Sequence, residues 1–315
     1  MRIRELITIF ISVLLSAVLA SSSKSFAQTS QQKKLAMQVP IADVHMHLEG
    51  GNDPKFYIDQ MDLANVRWAG GVGGGPTDNP MQIKSALGGR YIAALGQNEF
   101  FRVLFSAGQD ALTDLNNPIF QNFFPFAEEQ FRAGRVRGFG EIHINNVSPF
   151  SPARGQRKIK LEIPVVLKMF EIANKYEGFV QIHTMIDSGL DEIIRVSRRF
   201  PKTKIILSHC LPGASTAQVE KLIETASNIY CELSAQGPTH GVRRIYSEAG
   251  VRPDWKHLIE KHPNRFMIGT DPCCGQFYKY QKIVDEIRTL LLPHFTETTM
   301  KKLAYQNANR IFNSK

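Results

Sequence analysis

Cysteine is scarce in this 315-residue chain: only Cys210, Cys231, Cys273 and Cys274, with no CxxC spacing among them. That excludes a thiolate zinc knuckle and offers no disulfide framework, so no covalent staple is expected. Cys210 reads as a small buried thiol turned towards the covering helices, and Cys273 and Cys274 are assigned no role. A second long apolar run is also missing: after Leu6 to Ala20 nothing approaches the roughly 20 residues of a membrane span. Basic clustering is sparse, since the 38 Lys and Arg are scattered and only Arg154 to Lys160 and Arg195 to Arg199 are locally dense. A nucleic-acid partner is therefore not expected. The glycine run from Gly70 to Gly75 lacks the Lys-Ser/Thr of a phosphate loop and reads as a mobile loop.

What is present begins with an export pattern. Arg2 and Arg4 precede the apolar run, and Ser25-Phe26-Ala27 has the small-x-Ala form of a cleavage site. Residues 1–27 read as a signal peptide, which implies a periplasmic or secreted protein with no membrane attachment after processing. No cysteine lies near the cut to carry a lipid. Losing Arg2, Arg4, Lys24 and Glu5 lowers the formal charge of +9 by three and raises it by one, to +7. Residues 28–38, rich in Gln, Ser and Lys, read as a flexible leader. From 39 to 315 the chain has the size of one α/β barrel, normally about 250 residues. Short apolar runs at Ile41 to His47, Val66 to Val72, Tyr91 to Leu95, Gly138 to Ile144, Phe179 to His183, Lys204 to His209, Asn228 to Leu233 and Phe266 to Asp271 alternate with amphipathic segments. Eight such units predict a single (β/α)8 TIM barrel, closed by two C-terminal helices at Tyr278 to Leu292 and Glu297 to Phe312.

The chemistry-bearing residues stand at the ends of those runs. Asp43-Val44-His45-Met46-His47 ends the first, and residues two apart on a strand share a face, so His45 and His47 can converge on one ion. His183, His209 and Asp271 end three other runs, and the C-terminal ends of barrel strands surround one cavity. His45-x-His47, His183, His209 and Asp271 match, in order and strand, the metal-site signature of the amidohydrolase superfamily, which the chain resembles over nearly its whole length. It looks most like the amidohydrolase-related branch, which contains lactonases and decarboxylases. Asn228-Ile229-Tyr230-Cys231-Glu232-Leu233-Ser234 and Asn307-Ala308-Asn309-Arg310-Ile311-Phe312 resemble that branch's NVYxDxS and NAxRxF patterns. His47-Leu48-Glu49-Gly50 is also similar to an adenosine deaminase opening, but no HAGE-like segment follows His183.

The fourth run departs from the superfamily pattern, since Arg135 to Asn146 contains no lysine to become carboxylated. Gly140-Glu141-Ile142-His143 stands there instead, with Glu141 and His143 on one face. A glutamate at this strand bridges two metals in TatD-like relatives, so Glu141 reads either as a bridge or as a group bonding a ligand or substrate hydroxyl. The resemblance implies a divalent ion, zinc first and manganese second, on His45, His47, His183 and Asp271, with His209 orienting the water and Asp271 taking its proton. One tightly held ion with a weaker second near Glu141 is expected; in a two-ion site Glu141 bridges and His183 with His209 serve the second ion. The expected activity is hydrolysis of a lactone, ester or amide in a small anionic molecule. Decarboxylation within the same branch and non-catalytic ligand binding remain the alternatives. His143, His240, Arg243 and Arg244 are candidate substrate contacts, with Arg154 and Arg157 as further carboxylate grips. A homo-oligomer is compatible with the sequence.

Overall fold

The computed structural model describes residues 30–48, 53–73, 79–146, 156–186, 189–273 and 275–313. The signal segment 1–27, Arg154, Cys274, and Gly74 and Gly75 of the glycine run lie outside them. Strands β1 (Ile41–Asp43), β2 (Val66–Gly70), β3 (Tyr91–Ile92), β4 (Ala94–Gly96), β5 (Gly138–Asn146), β6 (Arg157–Lys158), β7 (Phe179–Thr184), β8 (Lys204–Leu207), β9 (Ile229–Glu232), β10 (Tyr246–Ser247), β11 (Gly250–Val251) and β12 (Phe266–Met267) alternate with helices. Two small antiparallel additions, β6 on β5 and the β10–β11 pair, lie outside the barrel ladder. The remaining strands pair in parallel as β1-β2-β3 and β4-β5-β7-β8-β9-β12. Only Ala93 separates β3 from β4, so together they make one stave. Val44 N donates to Ile268 O at 3.0 Å and Asp271 N to His45 O at 2.7 Å, joining the β12 side to the β1 side. The result is the expected (β/α)8 barrel, its strands apolar almost throughout because both faces are covered.

Helices start where the sequence supplies a start. Pro54, Pro80, Pro118, Pro164 and Pro253 each open one, where a missing N–H costs nothing, and Asp53, Asn79 and Asn117 cap the first three of these. The final helices run as expected, each interrupted by a π turn, at Ile287–Leu291 and Lys302–Gln306. Asn307 Nδ2 donates to Pro263 O and Phe266 O, both at 2.8 Å, and Ala308, Ile311 and Phe312 pack with Val44, Trp68, Phe179 and Met267. The C-terminal motif thus seats the chain's end against the barrel.

Two expectations are corrected here. Residues 30–38 form a helix rather than a flexible leader. Their polar composition hides a buried Ala36, and Arg288 Nη1 donates to the carbonyls of Ala36 and of Val39, the residue after the helix, at 2.7 and 2.9 Å. Cys210 and Cys231 form a disulfide. They are 21 residues apart, and only the adjacency of β8 and β9 brings them together.

Candidate metal centre

His45, His47, Glu141, His183, His209 and Asp271 meet at the C-terminal mouth of the barrel. Most lie just past the strand ends, in segments that leave the ladder to bond elsewhere. Asp271 follows β12 by four residues: Thr270 N and Oγ1 donate to the Asp43 carboxylate at 3.0 and 2.5 Å, and Asp271 itself adopts φ +54°. Burial raises the Asp43 carboxyl to about 6 against the lowering effect of these bonds.

The histidine tautomers follow from their partners. His45 Nδ1 faces Glu232 Oε1 at 2.8 Å and His47 Nδ1 faces Gly73 O at 2.9 Å. Both partners only accept, so both Nδ1 atoms carry the proton and both Nε2 atoms present lone pairs. Those Nε2 atoms stand 3.1 Å apart. His45 Nε2 is 3.4 Å from Glu141 Oε2 and 3.6 Å from Asp271 Oδ1, and His47 Nε2 is 3.7 and 3.6 Å from the same two oxygens. Four acceptors therefore face one another in a buried space, an arrangement that repels itself unless a proton or cation is shared. Burial alone would depress His45, but Glu141, Glu232 and Asp271 outweigh it and hold the ring well above its ordinary range. The donor set fits a divalent ion: two imidazoles and two carboxylates, with each imidazole oriented by an acceptor behind it.

Glu141 also faces the other way. Its Oε1 lies 3.0 Å from His183 Nδ1 and 3.4 Å from His209 Nε2, and His209 Nε2 is 3.9 Å from Asp271 Oδ2. The one-ion expectation put His183 beside His45 and His47; the structure puts it across Glu141 from them, with His209, as in the two-ion alternative. Burial opposes ionisation of Glu141, yet His143, His45 and His183 pull its carboxyl well below the usual range. His143 Nε2 is 3.0 Å from Glu141 Oε2, its ring stacks on His183 at 4.6 Å, and burial drops it to about 3, so it is neutral.

Several supporting residues were not singled out from sequence. Glu232 receives His45 Nδ1, His209 N at 2.7 Å, Ser234 N at 2.7 Å and Ser234 Oγ at 2.9 Å. Ser234 Oγ in turn accepts from His209 Nδ1 at 2.8 Å, which leaves His209 Nε2 as another lone pair aimed at the carboxylates. Gln181, with its amide nitrogen 3.2 Å from both Gly71 O and Val44 O, turns its oxygen to His45 Nδ1. Gln97 Oε1 accepts from Glu141 N at 2.8 Å. In the sequence, Glu232 and Ser234 stand at the acidic and serine positions of the NVYxDxS-like segment, which carried the resemblance without giving either residue a role. The described start of the glycine run, residues 70–73, is buried packing rather than a mobile rim loop: a Cβ on Gly71, at φ +80°, would meet Val44 O at 2.5 Å.

The proposed substrate contacts separate. His240 Nε2 donates to Asp271 O at 3.2 Å and so borders the site. Arg243 is exposed, 3.4 Å from Glu248. Arg244 spends its guanidinium on His209 O, Cys210 O and Ala214 O at 3.1, 2.9 and 3.3 Å, over the Trp255 ring. Neither arginine supplies the expected fork for an anionic substrate. Arg157 is buried behind the site, its Nε donating to His143 O at 3.1 Å. The segment after β8 is itself unusual: His209, Cys210 and Leu211 have φ of 55°, 48° and 60°, three successive non-glycine residues in the left-handed region, at about 1–2 kcal/mol each.

The model of the Amidohydrolase family matches residues 42–313. No curated protein matches the sequence. Among solved structures, a probable 2-pyrone-4,6-dicarboxylic acid hydrolase from Acinetobacter baumannii with citric acid bound is 12% identical, with 87% of this chain and 99% of that one covered and a TM-score of 0.53. A 2,6-dihydroxybenzoate decarboxylase complexed with 2,6-dihydroxybenzoate is 11% identical over 88% of this chain and 100% of that one, TM-score 0.52. A dihydroxybenzoic acid decarboxylase from Polaromonas sp. JS666, with bound manganese and an inhibitor, is 13% identical over 83% and 86%, TM-score 0.51. At these identities the likeness establishes a shared fold.

Proposed function

The chain belongs to the amidohydrolase family, and from that premise we propose that it is an exported metal-dependent hydrolase acting on the carbonyl of a small lactone, ester or amide. The observation that carries this reading is Glu141, whose two oxygens face two sets of donors: His45, His47 and Asp271 on one side, His183 and His209 on the other. That supports two ion positions sharing Glu141, filled by zinc or manganese. A divalent ion there would polarise the substrate carbonyl and bring the pKa of a bound water to about 7. The chain's own part is to keep the histidine lone pairs aimed inward through Glu232, Ser234 and Gly73, and to offer the Asp271 carboxylate as proton acceptor. Asp271 takes a proton from the attacking water and returns it to the departing oxygen or nitrogen as the carbonyl bond to it breaks.

Export is supported by the Arg2/Arg4, apolar and Ser25-Phe26-Ala27 succession, and by a disulfide, which persists in oxidising compartments. An intact mass of the native protein lacking residues 1–27 is the expected result; a retained N-terminus would defeat it. Activity is tested by elemental analysis of purified protein and by turnover of a panel of esters, lactones and amides in 18O-labelled water. Label in the acid product is expected. Protein without stoichiometric metal, or a carboxylic substrate losing CO2 with no label incorporated, would defeat the hydrolase reading.

A further inference from the structure

We infer that Arg244 and the Cys210–Cys231 disulfide form a two-part brace whose role is to position His209. The inference rests on the functional reading of His209 as part of the metal cage. The turn that carries His209 is held against its own backbone preference, since His209, Cys210 and Leu211 all lie in the left-handed region that side chains with a Cβ avoid. Such a conformation persists only where the surroundings over-determine it. Here the surroundings are specific. Cys210 is bonded to Cys231, the residue next to Glu232, so one covalent link joins the turn to the strand whose carboxylate receives His209 N and His45 Nδ1. Arg244 reaches over Trp255 and donates to the carbonyls of His209, Cys210 and Ala214. Gln236 Nε2 adds a second donor to His209 O at 3.1 Å.

The disulfide ties the residue after His209 to β9, and the guanidinium holds the His209 carbonyl, while His209 Nε2 lies 3.4 Å from Glu141 Oε1 and 3.9 Å from Asp271 Oδ2. Burial lowers the Arg244 guanidinium to about 10, which leaves it fully charged at neutral pH and able to hold three carbonyls at once. An arginine expected to greet the substrate thus works one layer deeper.

The test uses Arg244→Met, which keeps the stacking bulk and removes the donors, Arg244→Lys, which restores a charged donor, and the paired Cys210→Ala, Cys231→Ala variant. Peptide mapping of the alkylated but unreduced protein should find Cys210 and Cys231 linked and unlabelled; alkylation of both would overturn the covalent half. Hydrogen exchange without metal should quicken at least about tenfold for the His209 and Leu211 amides in Arg244→Met and in the cysteine pair, with partial recovery in Arg244→Lys. Unchanged exchange overturns the brace. Co2+ titration should give a dissociation constant about 10–100-fold higher in the same variants, with an altered visible spectrum. In a His209→Ala background the brace variants should add nothing further. An equal loss in that background overturns positioning, because the effect would then not pass through His209. If the parent protein takes up no Co2+, the functional reading fails, while the exchange result still decides the brace.

Discussion

Glu232→Gln isolates the electrostatic work of the carboxylate behind the cage. The change keeps the side-chain volume and removes a buried charge that accepts four bonds, from His45 Nδ1, His209 N, Ser234 N and Ser234 Oγ. In the native fold burial would raise this carboxyl, but His45 and His209 with their hydrogen bonds pull it down to about 2 from 4.5. At 1.36 kcal/mol per unit this difference corresponds to about 3 kcal/mol of stability at neutral pH. Because the folded pKa is the lower one, the contribution is complete above pH 4.5 and fades as the pH falls towards 2. The glutamine variant should therefore unfold about 1–3 kcal/mol more easily in urea at pH 7, and the two stability curves should converge on acidification. Its affinity for Co2+ or Zn2+ should fall about 10–100-fold, since His45 loses the charged acceptor that fixes its tautomer and the Ser234 hydroxyl that orients His209 loses its own. An unfolding free energy within about 0.5 kcal/mol of the parent at pH 7, together with unchanged metal affinity, would refute this account of Glu232.

Glu141→Gln should leave a folded barrel that retains well under half the parental metal, measured by elemental analysis, because both donor sets lose their shared carboxylate. Asp271→Asn should lower turnover by about 10²–10⁴ with partial metal retention, and near-normal turnover would assign the proton to another group. Gly269→Ala tests the same centre without replacing a ligand. Its Cβ would lie 2.3 Å from Glu232 Oε2 and 2.7 Å from His45 Cβ, so thermal denaturation should show a loss of about 1–3 kcal/mol and metal affinity should fall with it. A variant with parental stability and metal content would mean that the Glu232–His45 pair moves freely.

The barrel was legible in the sequence because parallel strands covered on both faces are continuous apolar runs, and the polar residues that end them stand out by contrast. His45, His47, His209 and Asp271 were readable in this way, and Glu141 was readable from the lysine that its strand lacks. Their division into two sets was available only as the two-ion alternative that the family resemblance implies, since strand order by itself gives neither the side of Glu141 on which His183 falls nor which ring nitrogen faces it. Residues that act from behind are harder still. Gln181 and Gln97 are ordinary polar residues in a sequence, and what distinguishes them is a partner many positions away; Ser234 was visible only as the serine of the NVYxDxS-like segment. Arg244 shows the converse: the charge was visible, but not the three carbonyls that absorb it. The Cys210–Cys231 bond depends on which strands become neighbours.

The seam between the last stave and the first has a mechanical consequence. It is sewn by Val44 N to Ile268 O, by Asp271 N to His45 O, and by Thr270 to Asp43. Two of the residues doing the stitching, His45 and Asp271, also present their side chains to the same ion position. An ion there would act as a rivet through the joint, and a chelator would loosen the barrel at one line before anywhere else. Folding and loading then become successive stages of one closure, and the protein's resistance to opening along this edge becomes a direct gauge of whether its centre is filled.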